Sequence, residues 1–240
     1  MTADTLLEVS GLGKRFGGFV ALESIELAVA EKERVGLIGP NGSGKSTLVN
    51  CMCGTLRHEM GSVRFAGQML NGLSAHERTR LGLARSFQLP RPFNTLSLAD
   101  NLRVPLLYSG RHGSQPIDAR CMELLRVVGL ADKSDRLPRD LTQIEMRKLE
   151  LARAMAADPR LLIADEAMAG LSHAEVDDIL SLLIRLNEQG VTVILIEHIM
   201  RAVMHFSQRL VVLVAGRKIA DGNPTDVVRD PDVVRAYLGE

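Results

Sequence analysis

Between an apolar run, Arg34–Gly39 (RVGLIG), and an amphipathic stretch opening near Lys45 lies the segment Gly39-Pro40-Asn41-Gly42-Ser43-Gly44-Lys45-Ser46-Thr47. The segment fits the pattern G-x-x-x-x-G-K-S/T in the setting that gives it meaning, a strand before and a helix after. Glycines at these places let the backbone take positive φ and turn successive N–H groups toward one point. The helix that follows adds the positive end of its dipole. A chain of phosphates is the ligand that such a loop suits. Lys45 would reach the β- and γ-phosphates, and the Ser46 hydroxyl would ligate Mg²⁺. A chain carrying this loop is expected to be an α/β domain that binds a nucleoside triphosphate. The bland alternative, a glycine-rich turn before an ordinary helix, has to be weighed against the rest of the sequence.

Two further apolar runs, Arg160–Glu166 (RLLIADE) and Val191–Glu197 (VTVILIE), have the length of strands and no polar alternation. Continuous apolar strands separated by helical stretches mark a parallel sheet buried on both faces. Ligands of such sheets gather at the C-terminal strand ends, and both of these runs end in acids. In this setting Asp165 would hold Mg²⁺, directly or through water, and Glu166 would orient and polarise an attacking water as general base. His198 follows the second run, where it would contact the γ-phosphate and link it to that water.

The flanks read differently. Leu6–Ser10 and Ser24–Ala30 alternate apolar and polar residues, as half-exposed antiparallel strands do. Leu210–Val214 and Arg217–Ala220, joined at Ala215-Gly216, read as a hairpin. From about Leu89 to Ala157 the spacing turns helical, most plainly over Cys121–Val128 and Met146–Ala156, with Pro90, Pro92, Pro105, Pro116 and Pro138 expected to break the segment. The expected organisation is one domain over 1–240. Residues 1–88 and 158–240 form its nucleotide-binding core and antiparallel β subdomain, and 89–157 form an inserted helical subdomain.

Composition removes several partners. Lys plus Arg equals Asp plus Glu at 29 each, without the basic excess that nucleic-acid binding uses. Aromatics make up 3% with no Trp, which leaves few platforms for stacking bases. No apolar run approaches the ~20 residues of a membrane span. The N-terminus shows no leader pattern, and Cys51, Cys53 and Cys121 form neither a metal spacing nor a disulfide framework. A reducing cytoplasm is the expected compartment.

The order of these motifs resembles the ATP-binding-cassette (ABC) ATPases over essentially the whole chain. That resemblance implies a RecA-like P-loop NTPase core with an antiparallel β subdomain and an inserted helical subdomain. It also implies hydrolysis of ATP with Mg²⁺, coupled to transport. Phe16 in Lys14-Arg15-Phe16-Gly17-Gly18 matches the aromatic that stacks on adenine. Gln88 in Arg85-Ser86-Phe87-Gln88 matches the Q-loop glutamine, which senses Mg²⁺ and the attacking water. His198 matches the switch histidine. Leu141–Met155 occupies the place of the signature helix, whose start (here Thr142, Gln143, Ile144 and Glu145) serves the nucleotide held by a partner chain.

A closer resemblance, to the ATPases of branched-chain amino-acid importers and their relatives for urea and other amides, rests on several segments. These are Arg85–Gln88 with the later Asn101-Leu102, Ala169-Gly170-Leu171, Ile196-Glu197-His198, and above all the tail from Ile219 through Asn223-Pro224 and Asp230-Pro231 to Ala236-Tyr237-Leu238-Gly239-Glu240. Partners implied by the resemblance are a second ATPase subunit, two membrane permease subunits and a solute-binding protein, with this chain peripheral on the cytoplasmic face. Leu89–Tyr108 would line the groove for a permease helix. Two other readings stay open: an ATPase of an exporter or soluble ABC machine, and a weakly hydrolysing regulatory partner.

The signature departs from the family pattern, close to L-S-G-G-Q, by reading Leu141-Thr142-Gln143-Ile144-Glu145. Thr142-x-x-Glu145 retains a capping box, but Ile144 stands where glycine lets a γ-phosphate approach backbone. Glu145 is expected to add negative charge there. With a partner ATPase of intact signature the two nucleotide sites would be unequal, a reading that favours a heterodimer; the alternative is that the loop shifts to admit Ile144 and leaves both sites alike. Smaller departures are Ala167, Ser172 and Ile199.

Overall fold

The computed structural model describes residues 5–87, 89–109 and 115–238. In chain order the elements are β1 (Thr5–Phe16), β2 (Phe19–Ala30), β3 (Arg34–Ile38), α1 (Lys45–Cys53), β4 (Met60–Phe65), β5 (Gln68–Met69), α2 (Ala75–Leu81) and β6 (Leu83–Ser86). The helices α3 (Leu98–Ser109), α4 (Ile117–Val127) and α5 (Gln143–Met155) follow. Then come β7 (Leu161–Asp165), α6 (His173–Glu188), β8 (Thr192–Ile196), α7 (Met200–Phe206), β9 (Arg209–Val214), β10 (Arg217–Gly222), α8 (Pro224–Val227) and α9 (Pro231–Leu238).

Among the described residues six strands form the central sheet in the order β10-β9-β3-β8-β7-β6, and four form a second sheet, β2-β1-β4-β5. Pairing is parallel from β9 through β6 and antiparallel between β9 and β10 and throughout the second sheet. The apolar runs are continuous because successive side chains face opposite cores. On β7, Leu161 and Ile163 join a core with α1 and the second sheet, while Leu162 and Ala164 join one with α3–α6.

The three expected parallel strands, the antiparallel N-terminal pair and the C-terminal hairpin are all present. Cys51 and Cys53 are buried on α1, and desolvation pushes their thiols up to about 11 and about 12.

Pro105 does not break the chain, against expectation: α3 runs through it. An interior proline costs about 3 kcal/mol, and Leu98, Leu102 and Leu106, all fully buried on the same helix, offset that cost. The same burial corrects the expectation that Leu98 and Leu102 line a groove. They are core, whereas Leu89 (68% exposed), Phe93 and Tyr108 reach the surface.

Candidate functional site

The glycine loop is shaped by what surrounds it. At Gly39 a β-carbon would lie 2.1 Å from the carbonyl oxygen of Leu213 at the end of β9. At Gly44 (φ 104°) it would lie 2.8 Å from that of Ala21 on β2. Neither place tolerates a side chain. Gly216, in the turn between β9 and β10, donates its N–H to Ser43 O at 3.0 Å, so the hairpin backs the loop. Lys45 folds over the loop, donating from Nζ to Gly39 O at 2.7 Å and Pro40 O at 3.0 Å. Burial lowers its pKa, and Glu166 and Asp165 oppose that shift.

A cleft of about 260 Å³ opens beside the loop. Phe16 (50% exposed), Phe19 (64% exposed) and Ala21 line one wall, and Asn41–Thr47 with Glu166 line the other. Lys14 Nζ lies 5.1 Å from the ring centre of Phe16. Phe19, a second exposed aromatic on the same wall, carried no motif and was missed.

The strand ends converge on this cleft. Asp165 is buried and accepts from Arg85 Nη2 at 2.5 Å, while Arg85 Nη1 donates to Asn50 Oδ1 at 2.7 Å. Sequence reasoning did not assign Arg85. It is 80 residues from Asp165, and only the parallel register Ser86↔Ala164 brings the two together. Glu166 adopts φ 47°, a conformation that costs a non-glycine residue about 1–2 kcal/mol. It is held by its N–H, which donates to Ile196 O at 2.9 Å. Its carboxylate Oε1 lies 2.9 Å from His198 Nε2, so the predicted base and histidine are already paired across the ends of β7 and β8.

Gln88 lies outside the described residues. Among the described residues no cluster of three or more His, Cys, Asp or Glu forms a cage that could hold a metal ion. The donor set at the cleft suits a hard cation that takes most of its ligands from phosphate and water. It consists of the exposed Ser46 and the Asp165 carboxylate, which keeps acceptor capacity beyond its bond to Arg85.

Thr142–Glu145 is absent from the cleft walls. Its capping box forms: Glu145 N–H donates to Thr142 Oγ1 at 3.4 Å, and Thr142 N–H donates to Glu145 Oε2 at 3.0 Å. Glu145 Oε1 also accepts from Lys133 Nζ at 2.5 Å, and that bond and the capping hydrogen bond hold its carboxyl below the usual range. The negative charge that Glu145 adds at the helix start is thus paired with Lys133. Ile144 is half-buried and packs against the core formed with α3–α6.

Comparison with known proteins agrees with this geometry. The family model "ABC transporter" matches residues 22–169, and "Branched-chain amino acid ATP-binding cassette transporter" matches 217–240. The chain is 39% identical to the high-affinity branched-chain amino acid transport ATP-binding protein BraF of Pseudomonas aeruginosa, over 98% of each chain. It is 37% identical to the corresponding LivG of Escherichia coli K12, again over 98% of each. An ATP-binding cassette of an ABC transporter, solved in its ADP conformation, superposes with a TM-score of 0.88 at 29% identity, covering 98% of this chain and 99% of that one. With the loop, the acidic strand ends and the sheet order in agreement, the chain belongs to the ABC transporter family as one of its ATP-binding, ATP-hydrolysing subunits.

Proposed function

We propose that this chain drives the import of branched-chain amino acids or related amino acids and amides from the cytoplasmic face of a membrane. The observation that carries the solute class is the tail: residues 217–240 match the branched-chain family model. The partners would be a second, different ATPase subunit, two permease subunits and a solute-binding protein.

In the proposed reaction, ATP and water give ADP and phosphate. Gly39–Thr47 wraps the phosphates, and Lys45 exchanges its bonds to Gly39 O and Pro40 O for phosphate oxygens. Phe16 stacks on the adenine. Ser46, Asp165 and Gln88 would hold Mg²⁺, which supplies charge neutralisation on the phosphate oxygens. Glu166 takes a proton from the attacking water while the bond between the γ-phosphorus and the bridging oxygen breaks. His198, paired with Glu166 at 2.9 Å, keeps that carboxylate aimed. Thr142–Glu145 serves the nucleotide held by the partner ATPase. The exposed Leu89, Phe93 and Tyr108 meet a permease helix.

The test is uptake of labelled leucine, valine and urea by cells lacking only this chain, with the permeases and solute-binding protein left in place. ATP-dependent uptake of at least one should vanish, and return with the intact chain but not with Glu166→Gln. Uptake of all three at the unaltered rate would overturn the solute assignment.

A further inference from the structure

The acid that follows β8, Glu197, has no part in the reaction above, yet it is 2% exposed. Its Oε1 accepts the Met168 N–H at 2.8 Å within the interior. Met168 lies two residues beyond Glu166, in the loop that follows the strained φ of that residue. The backbone N–H of His198, the next residue, also favours the charged form of that carboxyl. One buried side chain thus ties the loop after Glu166 to the strand end that leads into His198.

The loop is gripped from its other side as well. Ala169 O accepts from Arg147 Nη2 at 3.3 Å and from Gln143 Nε2 at 3.4 Å, both at the start of α5. Met168 and Ala169 therefore lie between the end of β8 and the helix that carries Thr142–Glu145.

We propose that Glu197 is a positioning residue for ATP hydrolysis. Its carboxylate fixes the loop after Glu166 against the end of β8, and so fixes the separation of Glu166 and His198. The inference rests on the reading of those two residues as the hydrolytic pair. Placing a carboxylate there has a cost that packing alone does not explain. Burial raises the group to about 7, with the Glu166 charge pushing the same way and the two backbone N–H groups and His198 opposing. Arg147 faces it from α5, with Glu150 beside Arg147. A residue kept only to fill the space would be better uncharged.

The experiment measures ATPase turnover and nucleotide affinity of the assembled transporter carrying Glu197→Ala, Glu197→Gln or Glu166→Gln. A displacement near 1 Å at reacting groups costs on the order of 10²-fold. Glu197→Ala should lower kcat by about that factor, with ATP affinity changed by less than about twofold, the mark of an interaction felt in the transition state. Glu197→Gln keeps one acceptor oxygen and should fall between Ala and the unaltered chain, about tenfold down. Full turnover in Glu197→Ala, or in Glu197→Gln should the Ala variant fail to assemble, would overturn the inference. So would loss of nucleotide affinity in step with turnover. Glu166→Gln separates the two claims. If it retains turnover, the hydrolytic pair itself is misassigned; if it is inactive while Glu197→Ala is fully active, only the positioning role fails.

Discussion

The phosphate loop and the start of α5 are both helix N-termini, and they have kept different things. At Gly39–Thr47 every position the pattern requires is present, and neighbouring backbone at Leu213 and Ala21 leaves no room for substitution at Gly39 or Gly44. At Leu141–Glu145 the capping box is intact, but the residue expected to meet a partner's nucleotide is Ile144. A helix start can therefore keep its folding role while its ligand-facing chemistry changes. In one region structure and chemistry need the same residues. In the other they need different ones, Thr142 and Glu145 for the cap and position 144 for the approach.

Glu166→Gln should lower turnover of the assembled transporter by ~10²–10⁴-fold, the usual loss when a general base is removed. ATP binding should persist, because the phosphate-binding groups belong to other residues. Equilibrium binding and single-turnover assays check both halves.

Glu197 sharpens the contrast through stability. Its folded pKa, about 7, lies above the ordinary 4.5. Between those values the folded chain holds a proton that the unfolded chain has released. Stability from this group therefore falls as pH rises through that window and levels off above it. At about 1.4 kcal/mol for each unit, the cost approaches ~3 kcal/mol by pH 8. Denaturant unfolding of Glu197→Gln should show a gain of that order near pH 8 that shrinks toward pH 5. Parallel stability curves would contradict it.

At the signature the expectation reverses. Thr142→Ala removes a cap and should destabilise the chain by about 1 kcal/mol, read as a lower unfolding midpoint at every pH. Ile144→Gly should cost folding at least as much, roughly 0.5 kcal/mol in helix propensity and about 1 kcal/mol more in lost packing of its half-buried side chain. It should also raise turnover at the nucleotide held by the partner. A turnover that does not improve would mean that the loop already accommodates Ile144.

Much of this was legible in the sequence, for reasons that differ by element. β3, β7 and β8 declared themselves because strands buried on both faces need unbroken apolar runs. The loop did so because phosphate binding fixes residue types at fixed spacing. β6 was not legible: Leu83–Ser86 is four residues long and carries Arg85. With it went the Arg85–Asp165 bond, which exists only through strand register. α3 hid behind Pro105, where tertiary burial overrides local propensity. Glu197 was visible as an acid at a strand end, but its hold on Met168 depends on the path of a loop that no local pattern specifies. The pairing of Glu145 was not legible, because Lys133, twelve residues away, gave no sign of turning toward it.

We propose that this chain's own phosphate loop, with Asp165, Glu166 and His198, forms the competent site, while its signature weakens the site on the partner. The most direct measurement is ATPase turnover of the assembled transporter with Lys45→Ala in this chain, or with the equivalent lysine of the partner ATPase replaced. A loss at least about tenfold larger from Lys45→Ala is the predicted result. Equal losses from the two substitutions would contradict it.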